Sequence, residues 1–432
     1  MTMGLLTQLR GFDGGMILPA PRRDSASGPI QVLAAPPVLR VPLTQGPEPP
    51  VRPVVTAGQA VKPGDLLGDS PDGTGRVHSP AAGTVVGPVE VDTPYRRRVP
   101  AIEIRTAPEG QTEPVGALRR DRNDRPTLGG LLQEMMELGV DVPDADGLGR
   151  AQRVRRMILN GLDADPYQTV CRRTLMDCAE EVVAAAGMLH DVVGAERTDL
   201  VVDGARRELV ATLSAAARGG PVRVLGVPDR YPQSKPVLLV RTLAGIEVPA
   251  DRRPLDAGIW VCDVRTALDV RRAWMEGRAA TWRTATITGD AVVAPGNYRF
   301  AAGCTIRDVI DPIGLVDTPR RIVFGGMWNG HAVRTPDTVL TKRTWCLIVD
   351  SRNRPVHRAA IACIRCGDCL EVCPVRLDPR ALLEAAERNR PDLAARRHPH
   401  ACLDCGLCDY VCPSSLPLMR SAHWCREHVP VG

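Results

Sequence analysis

Two short runs of cysteine near the C-terminal end carry the clearest chemical pattern in this sequence. The string CIRCGDCLEVCP recurs 39 residues later as CLDCGLCDYVCP, so each run has the spacing C-x2-C-x2-C-x3-C-P. The cysteines are Cys363, Cys366, Cys369 and Cys373 in the first run, and Cys402, Cys405, Cys408 and Cys412 in the second. Three thiolates at this spacing on a tight loop can hold three corners of one iron–sulfur cube.

The fourth cysteine of each run indicates that two clusters share their ligands. The spacing is that of bacterial ferredoxins with two [4Fe–4S] clusters, in which the fourth cysteine binds the other cluster. The sequence therefore predicts one cluster held by Cys363, Cys366, Cys369 and Cys412. It predicts a second cluster held by Cys402, Cys405, Cys408 and Cys373.

Structural zinc and disulfide bonds are the alternatives for so many cysteines. Zinc sites commonly take their ligands in pairs, and two tandem runs of four that end in Cys-Pro fit that pattern poorly. Disulfides are rare in the reducing cytosol. Six further cysteines lack ligand spacing and are expected to be thiols: Cys171, Cys178, Cys262, Cys304, Cys346 and Cys425. Cys171 and Cys178 are predicted to share a face of one long helix over residues 167–189.

Composition excludes several classes of function. The chain has 432 residues and a formal net charge of +5, which is too weak over this length to indicate nucleic-acid binding. Its longest apolar runs fall far short of the roughly 20 residues that a membrane-spanning helix needs. The first residues also lack the apolar core of a signal peptide. We therefore expect a cytosolic protein, or one bound peripherally to the cytosolic side of a membrane.

The first part of the chain predicts an arm and a β module. Residues 1–37 are rich in Gly and Pro and are predicted to form an extended N-terminal arm. Residues 38–108 contain short apolar stretches broken by turns, with VKPGDLLG followed by HSPAAGTV. This pattern resembles the barrel-sandwich hybrid of lipoyl and biotinyl carriers. No lysine occupies a modifiable hairpin tip, so we expect a structural module, followed by a polar linker at 119–126.

The remaining modules differ in their patterning. Residues 126–277 alternate helical and strand-like segments, which predicts an α/β domain. Strand patterns return over residues 278–346 and predict a β-grasp (SLBB-like) module. Residues 355–425 form the ferredoxin-like helical module, in which Asp378-Pro379 predicts the start of a helix. The predicted fold class is therefore multidomain, α/β and β.

These strings resemble, in order, those of the RnfC family, whose members belong to the Rnf-type complexes. Such complexes are membrane-bound, ion-translocating ferredoxin:NAD oxidoreductases. The resemblance covers nearly the whole chain and includes GFDGG, VKPGDLLG, HSPAAGTV, ILNGLDADPY, VPDRYPQSKP, ITGDAVVAPGN, IVFGGMWNG and both cysteine runs. Many ferredoxin-like modules carry the cysteine runs. The order of the preceding strings is therefore what makes the resemblance specific.

The resemblance implies a peripheral electron-transfer subunit on the cytoplasmic side of the cell inner membrane. Its α/β domain would be similar to the flavin subunit of respiratory complex I, where FMN takes a hydride from NADH and passes on single electrons. The implied partners are other Rnf-type subunits, membrane-embedded and iron–sulfur, and either NADH or a ferredoxin- or flavodoxin-like carrier. The alternative is a soluble RnfC-like flavin and iron–sulfur reductase that serves another enzyme.

The flavin site implied by the resemblance departs from the family pattern. The family's glycine-rich loop, G-x-G-G-x-G-F-P, is replaced by GVDVPDADGLGRAQRVRR at residues 139–156. Two later strings, NGLDADPY and VCDVRT, carry aspartate where the family has glutamate or asparagine, and arginine where it has glycine. The residues that the resemblance places at FMN and NADH are Asn160, Asp163, Asp165, Tyr167, Asp263 and Thr266.

Two hypotheses follow for this site. In the first, a modified flavin site persists, and its phosphate is held by one of four arginines: Arg150, Arg153, Arg155 or Arg156. In the second, the site is vestigial, the domain is a scaffold, and electrons enter from an external protein carrier. Loss of a backbone phosphate cradle removes several N–H donors at once, and arginines restore charge but not geometry. Two [4Fe–4S] clusters are thus the expected cofactors, and FMN depends on the first hypothesis.

Overall fold

The structure is a computed structural model of the chain. It describes residues 11–18, 25–71, 75–113, 120–121, 124–151, 153–328, 330–351 and 359–430. Parts of the predicted arm at 1–37, of the predicted linker at 119–126 and of the start of the module at 355–425 lie outside the described residues.

The first module consists of two small antiparallel sheets. A short strand, β1 (Gln31–Val32), precedes it and joins a later sheet. The strands of the module are β2 (Val38–Pro42), β3 (Arg52–Pro53), β4 (Ala60–Val61), β5 (Leu66–Asp69), β6 (Arg76–His78), β7 (Gly83–Val91) and β8 (Val99–Thr106). They lie in the orders β2–β8–β7–β4 and β3–β5–β6. The two sheets match the barrel-sandwich hybrid predicted from the turn pattern.

The second module is a parallel sheet with helices. Its elements are α1 (Leu128–Glu137), α2 (Ala145–Arg150), β9 (Arg156–Asn160), α3 (Val170–Asp177), α4 (Ala179–Val193), β10 (Thr198–Asp203), α5 (Arg207–Ala216), β11 (Val222–Val227), α6 (Pro236–Ala244), β12 (Ile259–Asp263) and α7 (Val264–Glu276). The parallel strands lie in the order β11–β10–β9–β12. This order places a topological switch point between β9 and β12, where ligands of such sheets usually bind.

The helix predicted over residues 167–189 is two helices, so that prediction was wrong. Helix α3 ends at Asp177, α4 begins at Ala179, and Cys178 lies between them with φ −130° and ψ 35°. Both helices bury apolar residues in the same core, so the apolar periodicity does not reveal the break. Cys171 and Cys178 therefore do not share a face of one helix; Cys171 is buried and Cys178 is half-buried.

The third module is a mixed sheet. Its elements are β13 (Trp282–Thr288), β14 (Gly296–Ala301), α8 (Ile306–Ile313), β15 (Arg321–Phe324), β16 (His331–Ala332) and β17 (Cys346–Asp350). The sheet order is β1–β14–β13–β17–β15–β16, with an antiparallel β13–β14 hairpin and β17 parallel to β13. This arrangement fits the predicted β-grasp. The arm supplies strand β1 to the sheet, and β17 continues to Asp350, past the predicted end of the module at 346.

The first and third modules share one hydrophobic core. Leu39 and Ile104 of the first module belong to the same buried cluster as Ile287 and Phe300 of the third. The indole nitrogen of Trp282 also donates a hydrogen bond of 3.0 Å to the carbonyl of Pro80. Since burial of apolar surface is the main stabilising term, the two β modules form one packed unit.

The last module consists of short helices. They are α9 (Asp368–Glu371), α10 (Pro379–Glu387), α11 (Pro391–Ala395), α12 (Leu407–Val411) and α13 (Leu418–His428). The Asp378 side chain accepts a hydrogen bond of 2.9 Å from the backbone nitrogen of Ala381, so the cap predicted from Asp-Pro is confirmed. None of the helices among the described residues is long and apolar enough to cross a lipid bilayer.

Candidate iron–sulfur site and strand-end crevice

The first predicted set of ligands surrounds a cavity that opens to the surface. Cys363, Cys366, Cys369 and Cys412 all line this cavity of about 330 Å³. Cys363 and Cys366 are exposed, and Ile364 on the rim is 63% exposed. We call this space the open cavity. It brings the fourth cysteine of the second run to the first three of the first run.

The second predicted set surrounds a narrower cavity, of about 30 Å³, which we call the covered cavity. Its lining includes all four predicted ligands: Cys373, Cys402, Cys405 and Cys408. Leu418, at the start of α13, lines both cavities and thus lies between them. Four sulfur donors around one space are the donor set of a [4Fe–4S] cluster, so the residues present fit one cluster in each cavity.

The polypeptide holds the fourth cysteine of each run in the same way. The backbone nitrogen of Leu377 donates a hydrogen bond to the sulfur of Cys373 at 3.2 Å. Leu416 donates in the same way to the sulfur of Cys412 at 3.5 Å. In both runs, the glycine that precedes the short helix has a positive φ, +92° at Gly367 and +72° at Gly406. The sequence repeat is therefore also a repeat of backbone geometry.

Burial raises the pKa values of cysteines around both cavities. Burial raises the pKa of Cys402 to about 12, and it also raises the pKa values of Cys373, Cys405 and Cys408. In the open cavity, burial raises the pKa of Cys369. Iron binding requires thiolates, so metal insertion into the covered cavity must displace protons that burial retains.

Part of the N-terminal arm straps the cysteine module to the α/β module. Gly15 donates a backbone hydrogen bond of 2.8 Å to the carbonyl of Val372, and Met16 pairs with Tyr231. Gly14 has φ +66°, and a Cβ there would lie 2.6 Å from the carbonyl oxygen of Cys373. Only glycine tolerates both conditions, which gives the GFDGG string a structural role that the sequence did not reveal.

Tyr231 joins the covered cavity to the ends of the parallel strands. Its hydroxyl donates a hydrogen bond of 2.8 Å to the carbonyl of Cys405. Its ring packs edge-on against Trp328 with ring centres 4.8 Å apart, and Trp328 packs against Tyr410 at 5.0 Å. The sequence did not reveal these contacts, although Tyr231 lies in the VPDRYPQSKP string and Trp328 in IVFGGMWNG.

The loop after β9 carries several of the residues that the resemblance assigned to FMN. The Asn160 amide donates to the Ser234 carbonyl at 2.9 Å and accepts from the Leu162 nitrogen at 3.1 Å. Asp163 accepts a hydrogen bond of 2.9 Å from the Cys171 nitrogen, near the start of α3. The polar atoms of Asn160 and Asp163 thus bind backbone groups of this chain and hold the loop in place.

Asp165 is the most deeply buried of these residues, at 1% exposure. Its carboxylate accepts hydrogen bonds from the backbone nitrogens of Tyr167, at 2.9 Å, and Met327, at 3.1 Å. A Cβ on Gly326 would lie 2.5 Å from the Asp165 carboxylate, so Gly326 leaves room for this contact. Tyr167 packs beside a buried cluster of the β-grasp sheet. Asp165 thus fastens the α/β module to the third module.

The start of α7 carries Asp263 and Thr266, the other two residues that the resemblance assigned to FMN and NADH. Asp263 caps the helix and accepts from the Thr266 hydroxyl at 2.7 Å and from the Arg265 nitrogen at 3.0 Å. Its carboxylate also pairs with the Arg265 side chain at 3.2 Å. Burial raises the pKa of Asp263, but the positive charge of Arg265 and the hydrogen bonds from Thr266 outweigh it, so the pKa lies below its ordinary value. The carboxylate therefore stays ionised.

The four arginines proposed to hold a flavin phosphate have other partners. Arg156 begins β9 and pairs with the buried Asp199 at 2.6 Å, at the edge opposite the carboxyl ends of the strands. Arg155 donates to the Ala257 carbonyl, and Arg153 pairs with Glu196. Arg150, at the end of α2, donates to the Asp146 carbonyl. Arg156 begins β9, and Arg153 and Arg155 precede it, so all three lie at the edge opposite the carboxyl ends of the strands, which does not support the phosphate hypothesis for them.

The donor groups implied for FMN are therefore engaged with this chain's own atoms. The amide of Asn160 and the carboxylates of Asp165 and Asp263 all have internal hydrogen-bond partners. Within the described range 139–151 and 153–156, where the family has its glycine-rich loop, Ala145–Arg150 form helix α2. The residues present do not fit the flavin in the way that they fit the clusters.

Three family descriptions match the chain in order. The RnfC barrel sandwich hybrid domain matches residues 10–109, the Nuo51 FMN-binding domain matches residues 147–272, and the 4Fe-4S dicluster domain matches residues 362–416. The last of these covers all eight cysteines of the two cavities.

Relatives with known names are similar over most of the chain. The C subunit of an ion-translocating oxidoreductase complex from Pseudomonas aeruginosa is 32% identical over 87% of this chain, which spans 50% of that protein. The C subunit of a proton-translocating ferredoxin:NAD(+) oxidoreductase complex from Clostridium ljungdahlii is 28% identical over 87% of this chain and 84% of its own length. The chain thus spans about half of the first relative and most of the second.

Among solved structures, an NAD+-reducing [NiFe]-hydrogenase in the H2-reduced state is 15% identical, with a TM-score of 0.49. That match covers 72% of this chain and 64% of the hydrogenase chain. The ordered domain matches and the similarity to these two relatives along 87% of the sequence are the stronger findings. On their basis the chain is similar to the C subunits of these complexes along most of its length, and its first module matches the RnfC barrel sandwich hybrid domain.

Proposed function

We propose that this chain is a peripheral electron-transfer subunit of an Rnf-type, ion-translocating membrane complex. It passes electrons one at a time between a soluble redox partner and the other subunits, from the cytoplasmic side of the membrane. The observation that carries the proposal is the crossed pairing of the two cysteine runs around two adjacent cavities. Each [4Fe–4S] cluster supplies one-electron chemistry when it is bound.

The residues around the cavities support different tasks for the two sites. Cys363 and Cys366 lie at the surface beside exposed Ile361, Ile364 and Leu370, so a partner protein can reach the open cavity. Apolar surface of this kind is typical of protein contact sites. The covered cavity faces the α/β module through Cys405 and Tyr231. We assign the open cavity to exchange with another subunit.

Cofactor analysis of the full chain tests this proposal. Purified without oxygen, the protein is expected to contain about eight irons and a matching amount of acid-labile sulfide. Dithionite is expected to bleach the visible absorbance and to produce the spin-resonance signal of two interacting clusters. Fewer than about four irons in protein kept free of oxygen would contradict the proposal.

Association with the complex is the second part of the test. The tagged chain, expressed with the other subunits, is expected to be recovered from membranes and released by detergent together with them. A variant with Ile364→Asp and Leu370→Asp places charge beside the open cavity without removing a cysteine. It is expected to keep its iron but to lose the membrane subunits; full retention of those subunits would overturn the assignment of the open cavity.

A further inference from the structure

The switch point of the parallel sheet lies between the loop after β9 and the start of α7. We call this place, between Asp163 and Asp263, the strand-end crevice. Open sheets of this order bind ligands outside the carboxyl ends of their strands at the switch point. What lies in the crevice therefore decides whether this module can hold a cofactor.

Arg265 lies at the start of α7, beside Asp263 at one border of the strand-end crevice. Its guanidinium group is 3.7 Å from the centre of the Trp345 ring and pairs with Asp263 at 3.2 Å. Arg265 also lies within electrostatic range of Asp163 and of the buried Cys171, both on the β9 side of the crevice. One arginine thus contacts the α7 side directly, interacts with the β9 side through charge, and stacks on the third module.

Two departures from the family pattern form this contact together. The family's asparagine is Asp263 here, and the glycine two residues later is Arg265. Either change alone would leave a half-buried charge, which is costly without a partner. Side by side they neutralise each other, and stacking on an aromatic ring stabilises a guanidinium further. The pair is therefore a charge-compensated replacement, in which Nη1 of Arg265 is buried without a hydrogen-bond partner among the described residues.

A cavity next to the crevice is lined by Arg265 and Trp345, together with residues of α7 and of the third module. It measures about 580 Å³ and runs along α7 toward the third module. Its arginines are paired with acids of the same wall: Arg272 with Glu181, Arg278 with Glu113 and Glu276, Arg283 with Asp269, and Arg299 with Glu113. Positive charge in this cavity is therefore balanced by carboxylates.

We infer that Asp263, Arg265 and Trp345 close the strand-end crevice, so the α/β module is a flavin-free scaffold and the chain exchanges only single electrons with protein carriers. The inference deepens the proposed function and depends on it for the two clusters. Without a hydride acceptor in this chain, NADH has no direct route to the cysteine-bound iron. A one-electron carrier is then the soluble partner that this chain requires.

Flavin analysis of the wild-type chain tests the inference without any variant. The oxygen-free protein is expected to release no stoichiometric flavin on acid treatment and to show no saturable quenching of added FMN fluorescence. NADH is expected to leave the iron absorbance unchanged, while dithionite bleaches it. One flavin per chain with eight irons would overturn the inference but keep the proposed function. Iron-free protein without flavin would overturn the proposed function, and with it the single-electron exchange, but not the closure of the crevice.

The rate at which a maleimide labels Cys171 tests whether Arg265 closes the crevice. In Arg265→Gly, a maleimide is expected to label Cys171 at least about tenfold faster than in wild type. The labelled peptide is identified by mass spectrometry. Arg272→Gly, which removes an ion pair from the same helix, is the matched control and is expected to leave Cys171 protected. Equal protection of Cys171 in wild type and in a folded, iron-replete Arg265→Gly would contradict the inference.

Discussion

The cysteine cavities and the strand-end crevice are joined through Tyr231 and its neighbours, yet they differ in what occupies them. Eight cysteine sulfurs line the two adjoining cavities, four around each. At the crevice, the chain's own Arg265 pairs with Asp263 and stacks on Trp345. None of the four cysteines that hold one cluster can be replaced without loss of a sulfur ligand. A domain that serves as a scaffold, by contrast, keeps its fold when a side chain fills its cofactor pocket. With the crevice closed as we infer, the module keeps its fold without the flavin site.

The largest effect is expected from a change within the covered cavity. Cys405→Ser removes one sulfur from the predicted second set, and a serine hydroxyl is a poor substitute for a thiolate toward iron. We expect loss of about four of eight irons, measured by colorimetric iron analysis of oxygen-free protein. Cys425→Ala is the control, because Cys425 is buried in the same module but lines neither cavity. Retention of eight irons by Cys405→Ser would invalidate the ligand assignment.

A smaller effect is expected at residues 14–16, the part of the N-terminal arm that binds the cysteine module to the α/β module and that we call the strap. Gly14→Ala forces a residue with φ +66° against the carbonyls of Val372 and Cys373. We expect a loss of at least about 2 kcal/mol in the free energy of unfolding of the cysteine module, read from iron absorbance in a urea titration. Gly11→Ala, with no atom within 4 Å of its Cβ, is the matched control and should change little. Equal behaviour of the two variants would show that the strap does not hold the module.

The smallest effect is expected from the hydrogen bond that crosses between the regions. Tyr231→Phe keeps the ring against Trp328 but removes the donor to the Cys405 carbonyl. A buried acceptor that loses its partner costs about 1 kcal/mol or somewhat more. The same urea titration should show this loss with the iron content unchanged. An unchanged midpoint would mean that the hydroxyl contributes nothing to the contact between the two regions.

Local patterns predicted much of the fold. The α/β pattern over residues 126–277 is observed as a parallel sheet with helices, and the Asp378 cap was placed correctly, because patterning and capping depend on neighbouring residues. The break at Cys178 escaped prediction, since apolar residues on both sides of it bury in one core. Periodicity reports which face is buried, not whether the backbone continues as one helix.

The candidate site was predictable to the extent that its chemistry lies in short strings. The eight cysteines and their crossed assignment follow from spacing, and that assignment stays a prediction until iron is measured. The arginines at 153–156 illustrate the opposite case. Several arginines close to the family's phosphate-binding loop suggested that they hold a flavin phosphate. The direction of β9, however, places them at the other edge of the sheet. Edge and direction are properties of the assembled sheet.

The sequence by itself determined the module order, the cysteine donor sets and the absence of the family's glycine loop, because each of these is written in adjacent residues. Only the tertiary structure decided that Arg265 meets Trp345, that Gly14 lies against Cys373, and that Asp165 binds the backbone at Met327. Those contacts join residues about 80 to 360 positions apart, and chain folding alone brings such residues together. The physical reason is that donors and spacing are local properties, whereas the filling of a space depends on every element that borders it.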